Sequence, residues 1–130
     1  MIVLDASAAV ELLLNTAAGS RIAVRLAGAG DLHSPHLIDI EITQTLRRLL
    51  ARTEISRERA TLAFDHWSEL DIERYNHRPF LNRIWALKDN FSAYDAAYVA
   101  LAEVLQATLV TGDQRLANAP GSRARIEWIG

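Results

Sequence analysis

The chain has 130 residues, half of them apolar, enough for one domain with a real core and too few for a second. It has no cysteine, so disulfides, thiolate metal sites and a cysteine nucleophile are excluded together. Fourteen basic and sixteen acidic side chains give a net charge of −2, which argues against a strongly basic nucleic-acid binder.

Residues 2–4 (Ile-Val-Leu) read as a short buried strand. No basic leader or apolar h-region precedes it, and no apolar run reaches membrane-spanning length, so a soluble, cytoplasmic, unexported protein is expected. Ser7 to Leu14 reads as a helix that is apolar nearly all round except at Glu11 and therefore needs cover. Gly19 to Ala27 reads as a second, amphipathic helix ending in Gly28-Ala29-Gly30. Leu32 to Ser34 is a brief strand, after which Pro35 is expected to open a long helix reaching about Ala51.

Ser56 predicts an N-cap for a helix through about Leu70, followed by a strand over Asp71 to Tyr75 and a helix over Pro79 to Leu87. Ser92 to Gln106 is the best-defined helix, with Ser92 and Asp95 in capping-box spacing and Ala96, Val99, Ala100 and Leu105 among its apolar positions. It runs into a strand at 108–111. A short helix over Gln114 to Asn118 and a last strand near Arg125 to Ile129 end the chain. Strands alternating with helices predict a mainly parallel sheet covered on both faces, a three-layer α/β/α sandwich spanning residues 1–130 as one domain.

Four acids fall where apolar elements end or turn. Asp5 closes the first strand, Asp113 follows the late strand, Glu41 lies at the rim of an apolar helical stripe, and Asp95 sits in the first turn of its helix. Each has an ordinary structural role open to it: N-cap for Asp5, solvated charge for Glu41, capping box for Asp95, turn residue for Asp113. Yet a parallel sheet collects ligands outside the carboxyl ends of its strands, so these acids are expected to meet at one end. Carboxylates gathered there repel one another, and a divalent cation resolves the repulsion. A magnesium- or manganese-dependent enzyme acting on phosphate is the reading that follows. Ser7 and Thr111 add hydroxyls beside Asp5 and Asp113, suited to hydrogen-bond the carboxylates or their waters, with helix capping as the competing role.

Setting aside those four negative charges turns the balance from −2 to +2, so the remaining surface is mildly basic. The basic charge is arginine except for Lys88. Arginine forks match phosphate oxygens, and Arg47, Arg48 and Arg115 are candidate phosphate contacts, with plain solvation as the alternative. His33, His36, His66 and His77 show no paired spacing and read as structural or surface residues. Trp67, Trp85 and Trp128 read as core or dimer contacts rather than base-stacking platforms.

The runs IVLDASA at 2–8, PHLIDIE at 35–41, SAYDAAYVALAEVL at 92–105 and ATLVTGDQRL at 107–116 together resemble a PIN domain, and more narrowly the VapC toxins of bacterial toxin-antitoxin pairs. The resemblance spans essentially the whole chain. It implies that Asp5, Glu41, Asp95 and Asp113 form a metal-binding acidic centre with Ser7 and Thr111 as neighbours. It also implies an endoribonuclease using Mg2+ or Mn2+, a homodimer, and a small VapB-like antitoxin that blocks the site. Where members carry further acids or hydroxyls just past the fourth acid, this chain has Gln114 and Arg115, so no fifth ligand is assigned there.

Other readings fit less well. A receiver-type signalling domain needs an acidic pair after the first strand and a lysine after a late one, but Ala6 and Ser7 follow Asp5 and Lys88 lies elsewhere. A haloacid-dehalogenase-like phosphatase needs D-x-D where Ser7 occupies the second position. A catalytically silent PIN-like module that binds RNA or protein is opposed by the intact set of four acids.

Overall fold

A computed structural model describes residues 1–130. Five strands, β1 (Ile2–Leu4), β2 (Leu32–Pro35), β3 (Glu73–Tyr75), β4 (Thr108–Thr111) and β5 (Ile126–Trp128), form one sheet in the order β3-β2-β1-β4-β5, every pair parallel. Ile2, Val3 and Leu4 are all buried although successive side chains point to opposite faces, so both faces of the central strand are covered. The cover comes from seven helices: α1 (Ala6–Leu13), α2 (Ala17–Ala27), α3 (Leu37–Ala51), α4 (Arg57–Glu69), α5 (Leu81–Ala86), α6 (Ala93–Leu105) and α7 (Gln114–Asn118). The result is the three-layer sandwich expected. No helix is long and apolar enough to cross a membrane.

The core centres on β1, β4 and α6. Every residue from Ala96 to Ala102 is buried, and the four alanines among them let α6 lie close against β1, β2 and β4. Trp67 closes the core under α4, and its indole N–H donates to Asp39 Oδ1 at 2.6 Å. Asp39 also takes both arms of the Arg74 guanidinium, tying α3 to β3, and these donors hold its carboxyl below the usual range against its partial burial.

Several sequence expectations shift. Pro35 does not open the helix: it ends β2, opposite Tyr75, and α3 begins at Leu37. Pairing with β1 stops at His33, so the missing donor of Pro35 falls where only β3 runs alongside. The expected 79–87 helix is a 3-10 turn, Arg78–Phe80, followed by the shorter α5. Helix α2 starts two residues early because the Thr16 hydroxyl caps it by accepting from Gly19 N. Of the tryptophans only Trp67 belongs to the core; Trp85 and Trp128 are 70% and 45% exposed. His33 is buried, with Nδ1 2.7 Å from the Tyr75 hydroxyl, and the other three histidines are exposed.

Candidate active site where the strand order reverses

From β1 the chain winds outward through β2 and β3, then returns to place β4 on the other flank of β1. The crevice at the carboxyl ends of β1 and β4 is therefore the switch point of the sheet, where parallel α/β folds bind ligands. Leu4 stands in register with Val110, and Asp5 N donates to Val110 O at 3.2 Å. That pairing brings the residues after β1, Asp5 and Ser7, against those ending β4, Thr111 and Gly112.

Asp5 is only 5% exposed. It N-caps α1 by accepting from Ala8 N at 2.9 Å, and the same Oδ1 accepts from the Ser7 hydroxyl at 2.7 Å. Its Oδ2 accepts from the hydroxyl of Thr111. Burial dominates the titration and pushes the carboxyl to about 6; the hydrogen bonds from Ala8, Thr111 and Ser7 pull it back, and the Asp95 charge adds to the rise. Capping α1 and facing the crevice are thus compatible duties. Ser7 Oγ in turn accepts from Gly112 N at 2.9 Å, and Thr111 Oγ1 from Asp113 N at 3.0 Å. The two hydroxyls stitch the loops after β1 and β4 into one unit.

The other acids arrive on three further elements. Ser92 caps α6, accepting from Asp95 N at 3.1 Å, which sets Asp95 in the first turn. Burial and then the charge of Asp113 raise the Asp95 pKa, with Ser92 and Arg115 opposing. Glu41 projects from α3, raised by burial and by Asp95, while the Tyr98 hydroxyl donates to its Oε1 at 2.5 Å and opposes the rise. Asp113 caps α7 by accepting from Arg115 N at 2.9 Å, and the Arg115 guanidinium reaches it at 3.5 Å.

All four acids line one cleft of about 560 Å3, together with Ser7, Tyr98 and Arg48. Thr111 lies beneath it, fully buried. Arg47 and Arg115 do not line it, and no histidine does. Two further acids, Glu11 and Glu54, and a second arginine, Arg59, complete the charged lining. As the side chains stand, no three histidine, aspartate or glutamate groups are close enough to clasp one bare ion between them.

The PIN domain family model matches residues 2–122. The chain belongs to the PIN-domain family. Among curated relatives, ribonuclease VapC9 of Mycobacterium tuberculosis is 46% identical over 129 residues, covering 99% of this chain and 98% of that protein. Ribonuclease VapC12 of the same species is 41% identical, also over 129 residues, with 99% of each chain covered. Among solved structures, PAE2754 from Pyrobaculum aerophilum matches with a TM-score of 0.69 over 96% of this chain and 81% of that one, at 20% identity, a likeness of fold.

Sequence reasoning about this PIN domain missed Tyr98 and Arg59. Tyr98 stands three residues after Asp95, one helical turn on, and that spacing was the available signal that both face the cleft. Arg59 carried no local signal, because what places it is a bond to Leu14, the C-cap of α1.

Proposed function

We propose that this PIN domain is a metal-dependent endoribonuclease, the toxin of a toxin-antitoxin pair, hydrolysing RNA phosphodiester bonds at a centre made by Asp5, Glu41, Asp95 and Asp113. The observation that carries the reading is that four carboxylates from separate stretches of chain line one cleft at the switch point, three of them with raised pKa. The names of the relatives, ribonucleases VapC9 and VapC12, support the substrate class.

The donor set is all oxygen, which suits Mg2+ or Mn2+. Magnesium keeps several of its waters and binds through one or two carboxylates, so it does not require all four acids as direct ligands. A bound cation supplies Lewis acidity toward the scissile phosphoryl group and its attacking water. The chain supplies orientation: Ser7 and Thr111 fix Asp5, Thr111 fixes the backbone of Asp113, and Tyr98 fixes Glu41. Arg47, Arg48 and Arg115 are the proposed phosphate contacts for the RNA, Arg48 within the cleft and Arg47 and Arg115 outside its lining. The protein acts as one domain in the cytoplasm, as a homodimer, and is held inactive by a small VapB-like antitoxin that places an arginine among the acids.

The test incubates purified, partner-free protein with RNA and Mg2+ or Mn2+, then repeats with chelator and with Asp5→Asn. Cleavage only in the wild type with metal is expected; equal cleavage in all three would expose a contaminating nuclease and sink the assignment. Induction of the chain alone should arrest growth, and a co-expressed cognate antitoxin should relieve it. Arrest by Asp95→Asn as strong as wild type would mean that toxicity is not catalytic.

A further inference from the structure

Two helical faces bound the cleft, and both lead away from the four acids. On α3 the lining residues Glu41, Thr45 and Arg48 fall at spacings of four and three, so Arg48 lies about 10 Å along the helix from Glu41. Val10 on α1 and Leu14, its C-cap, line the cleft, and Leu14 lies about 13 Å along the helix axis from the N-cap Asp5. Both helices begin at the carboxyl edge of the sheet, so these two positions mark the same far end.

At that end Arg59, in the first turn of α4, donates from one guanidinium nitrogen to Leu14 O at 2.7 Å. The bond anchors the guanidinium to the cleft wall and leaves most of its donors unused. Arg48 forms no ion pair, although Glu54 lines the same cleft. Glu11, the remaining acid at this end, is engaged by the Thr16 hydroxyl.

We infer that Arg48 and Arg59 form a phosphate-binding subsite for single-stranded RNA, holding the backbone at least one nucleotide away from the bond cut at the acids. The inference rests on the ribonuclease reading above. Six carboxylates and these two guanidiniums are the charged lining of the cleft, so a polyanion entering it is repelled unless its phosphates meet cations. A metal answers that need at the acids; Arg48 and Arg59 are the only cationic side chains available at the other end. Val10, Leu14, Leu49 and Ile55 supply the apolar part of the same lining, against which a base or ribose can lie. Single-stranded RNA, whose unstacked bases can splay out onto such apolar side chains, is the form this lining suits.

The test is steady-state cleavage of single-stranded RNA with Mg2+ or Mn2+ by wild type, Arg48→Ala, Arg59→Lys and the double variant Arg48→Ala with Arg59→Ala. Arg48 has no protein partner to lose, and Arg59→Lys keeps a donor for Leu14 O, so at least these two should fold; thermal melts check it. Arg48→Ala should raise KM about tenfold and the double variant about a hundredfold, with kcat changed less than about threefold, while Arg59→Lys, which keeps the charge and loses the fork, should raise KM less than the double variant. The dependence of log KM on log salt should become shallower by about 0.7 per arginine removed. Shortening the RNA from one end should raise the wild-type KM and leave that of the double variant unchanged. Wild type that cleaves RNA beside Arg48→Ala and double variants with unaltered KM and salt slope would overturn the subsite and leave the ribonuclease reading standing. Wild type that cleaves no RNA with either metal would overturn both.

Discussion

Tyr98, buried in α6, donates its hydroxyl to Glu41 Oε1 on α3 at 2.5 Å, joining two residues 57 positions apart. Burial and the charges of Glu41, Asp5 and Asp95 hold the phenol far above the usual tyrosine range, so it stays protonated and remains a donor. It is the one hydrogen bond that aims Glu41, whose carboxylate is otherwise free to turn toward solvent.

Tyr98→Phe should therefore separate aim from stability. Phenylalanine fills the same volume, and a half-buried carboxylate can recover water, so the stability loss should be about 1 kcal/mol. Cleavage should fall about tenfold and need more metal for half-maximal rate, because Glu41 is no longer fixed. A metal titration of kcat against a thermal melt makes the comparison; full activity at ordinary metal concentration would show that Glu41 needs no positioning.

Thr111 offers a stability test of the same site. Its hydroxyl donates to Asp5 Oδ2 and accepts from Asp113 N, and the residue has no exposed surface. Thr111→Val keeps the shape but leaves both groups unpaired, which should cost about 3 kcal/mol in urea unfolding. Thr111→Ser keeps both bonds and loses one methyl, about 1 kcal/mol. Equal losses in the two variants would mean that packing, not hydrogen bonding, accounts for Thr111.

Local chemistry made much of this legible beforehand. Ser56 and Ser92 cap helices as read, because a hydroxyl one turn ahead of an apolar face is a signal contained in a few residues. All five strands were placed, and each of the four acids could be seen at the end or rim of an element. Their meeting in one cleft depended on strand order, which is a tertiary property: β4 lies beside β1 although more than a hundred residues separate them. Pro35 misled because a proline suits a helix start and a strand end alike, and only the extent of pairing with β1 decides between them. Tyr98 reads as one more apolar position on α6 until Glu41 is brought to it.

Gly19 was read only as the residue from which α2 begins, yet it lies within that helix where α2 crosses α1. A Cβ there would lie 2.0 Å from Glu11 O, a backbone atom that cannot swing aside. Gly19→Ala gains helix propensity but forces the helices apart, so a net loss of about 2 kcal/mol is expected. Because Glu11 and Leu14 line the cleft, the displaced α1 should also lower cleavage. A melting temperature at or above wild type would show that α2 moves freely against α1.

The last prediction concerns the charge of Asp5 in the absence of metal. Its carboxyl is raised from 3.8 to about 6 in the folded protein, so the folded state holds the proton more tightly than the unfolded chain. Stability from this residue is fully present below about pH 4 and is lost as pH rises through about 6, by roughly 3 kcal/mol in total. Glu41 and Asp95 shift in the same direction, whereas Asp39 and Glu103 are lowered and act oppositely, so the informative quantity is the difference between wild type and Asp5→Asn. Asparagine still caps α1, and the Ser7 and Thr111 hydroxyls can rotate to meet its amide. In chelator the two proteins should be similarly stable near pH 4, and Asp5→Asn should be the more stable by about pH 7. Added Mg2+ or Mn2+ should then raise the wild type more than the variant, because only the wild type offers the cation this carboxylate. Parallel melts at several pH values, with and without metal, decide it: a variant less stable at every pH and shifted equally by metal would make Asp5 an N-cap and nothing more.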